Sequence, residues 1–221
     1  MKINLLVTNQ QELQTDMVSA LQEQYVIVRL IRDKGWDGIL SGQHFLNEGN
    51  NKQLQMVPFL ARLQAEAGEM TLGTGITLLP HYNPVYIAET IATLDVIAKG
   101  NFIFGIGFGY REMEFDAFGV WKGTRAKRYE ETLDIVKRLW AGESVSYETD
   151  YCKLVDVKLN LQPVQRPHPP IWIAATSDVA IRRAARLGHT WYTNPNSTVP
   201  RLMQQLAVFK DELAKHKLPF P

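Results

Sequence analysis

The sequence predicts an α/β protein built on a parallel sheet, and three observations predict it. Short apolar runs rich in β-formers alternate with stretches of helical period six times along the chain. Glycine stands where several helical stretches stop, at Gly35, Gly100 and Gly142. Strand–helix–strand repetition of this kind requires right-handed crossovers and therefore parallel neighbours.

"INLLV" (3–7) reads as a buried first strand, followed by a helix from about Asp16 to Lys34 that Gly35 closes in a left-handed cap. "WDGILSG" (36–42) is the second strand and residues 53–68 the next helix, with Pro58 early enough to fall in a first turn. "MTLGTGITLL" (70–79) is the third strand, and residues 84–100 form a helix that Pro84 opens and Gly100 ends. "NFIFGIG" (101–107) is the fourth strand; a loop leads to a helix over 124–142. "PIWIAAT" (170–176) and "TWYTN" (190–194) are the fifth and sixth strands, with helices over about 178–188 and 199–217. Residues 143–170 break the rhythm: alternating residues, then prolines, predict a hairpin and an extended strap inserted at the amino-terminal face of a single domain spanning 1–221.

Two architectures fit six such units: an open doubly wound sheet, or a (β/α)₈ barrel. A barrel takes about 250 residues, so a 221-residue chain is expected to carry about six units and to lack the last two.

Composition narrows the function. Hydrophobic residues make up 45% and the net charge is +1, from 24 lysines and arginines against 23 aspartates and glutamates. No basic excess draws the chain to nucleic acid or an anionic membrane. A single cysteine, Cys152, allows no internal disulfide and suits a reducing compartment. The amino-terminal apolar stretch is too short for a signal peptide, and no run approaches the roughly 20 residues that span a bilayer. A soluble, cytoplasmic protein is expected.

Three stretches carry candidate chemistry. In "IWIAATSDVAIRRAARLG" (171–188) a buried strand passes through alanines into Thr176, Ser177 and Asp178, where a helix begins. Unpaired N–H groups, the helix dipole and two hydroxyls suit a phosphate there, although Thr176 or Ser177 could equally be a plain helix cap. In "FGIGFGYRE" (104–112) the glycines do not match a dinucleotide fingerprint, because Tyr110 holds the third glycine's place and the motif follows the fourth strand. Alternating glycines there let a flat ligand lie on the backbone, or serve tight packing at a rim. Gly73, Thr74 and Gly75 suit a bulge or a strained peptide.

Of five histidines, His44 and His81 follow the carboxyl ends of strands, where barrel enzymes keep catalytic groups. His44 is the general acid–base candidate, since imidazole titrates near neutrality; a packing histidine is the alternative. His168 lies in the strap, His189 before the sixth strand and His216 in the last helix. No zinc-like ligand spacing, nucleophile elbow or Walker motif occurs, so no metal is expected.

"LGTGITLLPHYNPVYIAETIATLDVIAKGNFIFGIGFGYREMEFDAFG", "RAKRYEETLDIVKRLWAGESVSY" and "PVQRPHPPIWIAATSDVAIRRAARLG" together resemble the bacterial luciferase-like monooxygenases, over about Asp37 to Asn194. The resemblance implies a (β/α)₈ barrel binding reduced flavin mononucleotide (FMN), or in one branch a deazaflavin coenzyme. It implies that the flavin phosphate sits at Thr176 and Ser177 with the backbone of Asp178, Val179 and Ala180. It places a non-prolyl cis peptide at Thr74–Gly75 or Gly75–Ile76, and the active-site histidine at His44. Gly107 and Phe108 fall beside the flavin, and His81 and Tyr110 toward the substrate. Where luciferase has a phosphate-holding arginine, this chain has Phe108. Where deazaflavin sugar-phosphate dehydrogenases have an acid and a tryptophan, it has Tyr110 and Glu48.

The function implied is a two-component monooxygenase: a separate flavin reductase supplies reduced FMN, and oxygen is used on a small organic substrate. Hydride transfer with a deazaflavin is the second enzymatic reading. A non-catalytic flavin-binding protein, or an inactive fragment, is the third. The family often dimerises through its second and third helices, so a homodimer is expected.

Overall fold

The structure is a computed structural model that describes residues 2–7, 9–47, 49, 51–187 and 190–221. Its main sheet takes β1 (Asn4–Leu6), β3 (Gly38–Ser41), β5 (Thr71–Thr74), β7 (Phe102–Gly107), β10 (Ile171–Ala174) and β11 (Thr190–Tyr192) in that order, every pair parallel. A short β6 (Thr77–Leu78) continues the third position and pairs with β7. Strand order thus follows chain order without reversal. Right-handed crossovers that always advance the same way put every helix on one face, whereas a doubly wound sheet reverses at a switch point. The protein is an α/β chain with a parallel half-barrel sheet, and the doubly wound alternative is excluded.

The helices are α1 (Met17–Asp33), α2 (Met56–Ala67), α3 (Pro84–Ile97), α4 (Glu112–Ala117), α5 (Arg125–Trp140), α6 (Asp178–Arg186) and α7 (Val199–Lys215). Asp16 caps α1 by accepting from the backbone of Val18 and Ser19, and Asn83 caps α3 through Val85 and Tyr86, ahead of Pro84 at the first helical position. Alternate strand residues pack under the helices: Ile39, Leu72, Phe104, Ile106 and Ile171 are all almost fully buried. They meet Leu60 and Leu63 of α2, Ile87 and Ile91 of α3, and Leu133 and Val136 of α5 in one core.

Two features lie outside the sequence expectation. Gln10–Glu12 (β2) and Asn51–Gln53 (β4) pair as an antiparallel ribbon, built from polar residues with no apolar alternation to announce it. The loop expected after the fourth strand contains α4. The third strand is broken at one of the two expected bonds: a cis peptide joins Gly75 to Ile76 between β5 and β6. At 143–170, Val145–Glu148 (β8) and Lys153–Val157 (β9) form the hairpin. The strap behind it is tied to α3, where buried Asp95 accepts from the backbone N–H and the amide of Gln165.

The glycines of β7 are explained by this break. A Cβ on Gly105 would stand 1.9 Å from the Thr74 carbonyl oxygen, and one on Gly107 would stand 2.2 Å from Ile76 Cδ1. Gly105 makes room for the backbone of the strand beside it, so rim packing is its role, and Gly107 leaves room for the Ile76 side chain. Gly35, by contrast, has φ +74° and open space around it. Gly105→Ala is expected to cost about 3 kcal/mol of stability, the upper end of overpacking penalties, and Gly35→Ala about 1 kcal/mol for a left-handed Cβ. Urea unfolding of the two variants checks the order.

Candidate active site

β3 ends at Ser41, and the next three residues carry His44 over the carboxyl ends of the strands. The loop is held by amides. Gln43 accepts from Met56 N at the start of α2 (2.6 Å) and donates to the His44 carbonyl (2.8 Å). Gln53, from the polar ribbon, accepts from His44 N (3.2 Å) and donates to Asn9 and to the Gly42 carbonyl. The ribbon is therefore the brace of the histidine loop.

Glu114 of α4 is fully buried. Its Oε1 accepts from Phe45 N at 2.8 Å and lies 3.2 Å from His44 Nδ1. A carboxylate at Nδ1 favours the proton on that nitrogen and leaves Nε2 as the ring's acceptor. Tyr110 meets the imidazole edge-on, with centroids 5.7 Å apart. Sequence reading missed Glu114 because nothing in "YREMEFDAFG" separates a buried glutamate from its solvated neighbours Glu112 and Asp116. Only the one-turn helix brings it under His44.

At the other end of the same opening, Ser177 is the N-cap of α6 and its hydroxyl accepts from Ala180 N. The first backbone N–H groups of α6, at Asp178 and Val179, have no acceptor within the helix. Thr176, Ser177 and Ala180 border the cavity; Asp178 and Val179 side chains do not. The Asp178 carboxylate turns outward to Arg201 at 3.6 Å, so it does not set a negative charge against an anion. Arg125, at the start of α5, also borders the cavity. One nitrogen donates to the Lys122 carbonyl (2.8 Å), and among the described residues no carboxylate pairs with it. Phe108 stands where the resemblance placed luciferase's arginine, and a cationic side chain at this cavity, Arg125, comes from another element, a position with no motif to mark it.

Between these ends lies a cavity of about 570 Å³, within the roughly 300–1,000 Å³ range of small-molecule sites. Gly75, Ile76, Gly107 and Ala174 form its floor, Leu6, Val7, Phe108 and Tyr192 its apolar walls. Phe108 packs edge-on against buried Tyr129 at 4.6 Å and lies beneath the Arg183 guanidinium. Burial pushes the Tyr129 hydroxyl far above the ordinary tyrosine range.

Two expected site residues fall elsewhere. Thr74 is wholly buried and its hydroxyl donates to the Gly105 carbonyl at 2.7 Å; it fixes the strand break from behind. His81 sits behind the cavity wall in an aromatic cage, 4.6 Å from Phe115 and stacked on Phe118, with neither ring nitrogen hydrogen-bonded. It does not border the cavity. Glu48 and His189 lie outside the described residues. Among the described residues no cluster of metal-ligating side chains occurs, and no helix is long and apolar enough to cross a membrane.

Around one opening thus stand a helix start, apolar lining residues and an imidazole bonded to a buried carboxylate. The luciferase-like monooxygenase family model matches residues 1–219, and the chain belongs to that family. It is 30% identical over 171 residues to the F420-dependent glucose-6-phosphate dehydrogenase of Microbacterium testaceum, covering 74% of this chain and 50% of that protein. It superposes on the monooxygenase RslO1 of Streptomyces bottropensis with a TM-score of 0.88 at 26% identity, over 100% of this chain and 68% of that one. The oxygenating constituent of 3,6-diketocamphane monooxygenase from Pseudomonas putida, solved with FMN, shares the fold at a TM-score of 0.86 and 17% identity, with 100% and 65% covered. The chain spans about half the length of the curated relatives it matches, between 41% and 50% for three of them.

Desolvation lowers the His81 pKa from 6.5 to about 4, against a smaller opposing pull from Glu114; Arg128 adds to the lowering. The folded state thus binds this proton less readily than the unfolded chain. The stability that neutral His81 confers is complete above pH 6.5 and is lost as pH falls toward 4. About 3 kcal/mol should disappear over that window, and His81→Leu should flatten this part of the acid limb in urea midpoints recorded from pH 7 to 4.

Proposed function

We propose that the chain is the oxygenating component of a two-component monooxygenase, receiving reduced FMN from a separate flavin reductase and oxidising a small organic molecule. One observation carries the reading: a single cavity joins a cationic anion seat to an imidazole buttressed by a buried carboxylate. The donor set fits a phosphate monoester. Such a group carries about −1.5 to −2 charges at neutral pH, more than the roughly half charge of a helix end can balance, and Arg125 adds a full one. Thr176 and Ser177 would donate hydroxyls, with the N–H groups of Asp178 and Val179 behind them. The backbone of Gly75, Ile76, Gly107 and Ala174 would support a flat ring system, and Phe108 would wall it.

Reduced flavin bound here would supply the oxygen-activating chemistry. His44 would hold or accept a proton at Nε2, its orientation set by Glu114, while Leu6, Val7 and Leu78 keep water from the ring. Tyr110, two-thirds exposed at the mouth, would meet the substrate. The half-barrel sheet is read as part of a (β/α)₈ barrel. A soluble, cytoplasmic homodimer using the groove between α2 and α3, where Tyr86 and Ile97 are exposed beside Val57, completes the proposal.

Hydride transfer with a deazaflavin is the second reading, favoured by the dehydrogenase relative. Against it, no carboxylate side chain borders the cavity among the described residues, so a carbonyl substrate would lack an acidic proton donor there.

Fluorescence titration separates the readings. FMN is expected to bind at least about tenfold more tightly than riboflavin, which lacks the phosphate, and more tightly than the deazaflavin coenzyme F420. Arg125→Ala should remove most of the preference for FMN, roughly 1.4 kcal/mol for a tenfold change. Equal affinity for FMN and riboflavin would refute the seat, and a clear preference for F420 would hand the site to the hydride-transfer reading.

A further inference from the structure

Gln205 is an anomaly on α7. It is 3% exposed, among core neighbours such as Phe209 and Leu213 that dock the helix. A buried glutamine loses side-chain entropy of up to about 2 kcal/mol, and a net hydrogen bond returns about 1 kcal/mol. An apolar side chain would stabilise this interior better. Its amide does one visible thing: Nε2 donates to the Thr176 carbonyl at 2.6 Å.

A second side chain does the same one residue earlier. Trp191 of β11 donates Nε1–H to the Ala175 carbonyl at 2.9 Å, and its ring lies 5.7 Å from Phe209 of α7. Two successive peptide units between strand β10 and helix α6, 175–176 and 176–177, are therefore clamped from outside the strand–helix turn. In a trans peptide the N–H points opposite to the C=O. Fixing the Ala175 and Thr176 carbonyls toward Trp191 and Gln205 turns the N–H groups of Thr176 and Ser177 the other way. Neither Trp191 nor Gln205 borders the cavity, while Ala175, Thr176 and Ser177 do.

We infer that Gln205 and Trp191 are positioning residues that aim the backbone of the anion seat, so that binding of a phosphate-bearing ligand depends on α7 and β11 as well as on the turn itself. This rests on the reading of that turn as a phosphate seat and adds to it a source of preorganisation. A seat with freely rotating peptide units would spend binding energy on ordering them; a clamped one does not. The ion pairs that tie α7 to α6, from Arg182 and Arg186 to Glu212, keep the clamp and the helix it serves on one rigid pair.

The test compares two ligands that differ only in the phosphate. FMN and riboflavin are titrated by fluorescence quenching into the full chain and into Gln205→Met, which keeps the volume and loses the donor. The expected result is about a tenfold loss of FMN affinity with riboflavin affinity changed less than twofold. Trp191→Phe, which keeps a ring and loses the N–H, is expected to shift FMN alone in the same direction, and it carries the test if Gln205→Met does not fold. Variants that retain the wild-type ratio, or that weaken both flavins equally, overturn the inference and assign the two residues to packing. A wild-type chain that binds both flavins equally removes the seat, and the inference with it.

Discussion

The structure turns on a steric exclusion: β7 approaches the backbone of the third strand closely enough that Gly105 admits no side chain. The kink at Gly75–Ile76 needs that room, and Thr74 bonds across it to the Gly105 carbonyl. Everything facing the cavity follows. Ile76 and Gly75 come to the floor, Gly107 lies level with Ala174, and the carboxyl ends of β3, β7 and β10 open onto the same space. A bulkier residue at Gly105 would push the strands apart and lift the floor, whereas one at Gly107 would displace the Ile76 side chain.

Around that floor the protein backs each polar feature that faces the cavity with further polar side chains, some lining it and some behind it. His44 has Glu114, the His44 loop has Gln43 and Gln53, and the Thr176–Ser177 turn has Gln205 and Trp191. Buried polar side chains are costly unless they are bonded, so each such pairing uses stability that an apolar core would have kept. That expense concentrates at one end of the sheet. At the other end the interior is plain hydrocarbon packing with the strap closed over it by Asp95 and Gln165.

Much of the fold was legible along the chain. The strands at 38–41, 71–74, 102–107 and 171–174 and the helices after them fall inside the stretches read from periodicity and glycine stops, because local pattern governs them. That the turn at Thr176–Ser177 and His44 lie at strand ends, and that the chain breaks near Gly75, was legible too, since each stretch has unusual composition. The ribbon at 10–12 and 51–53 was not: its six residues are polar, and their pairing depends on two loops meeting across the mouth. His81 was misjudged for a related reason. Its place after a strand end suggests the cavity, yet the turn at 79–81 folds it back under Phe118.

What the sequence determined by itself is the main-sheet strands, most of the helices between them and their parallel sense, because periodicity, caps and strand-end residues act over a few neighbours. Only the tertiary structure decided that the sheet winds one way, that Asp178 faces Arg201, that Glu114 comes under His44, that Arg125 borders the cavity and that Gln205 reaches the Thr176 carbonyl. Glu114, Arg125 and Gln205 come from α4, α5 and α7, outside the main-sheet strands. Their roles depend on distances set by packing, which no local pattern encodes.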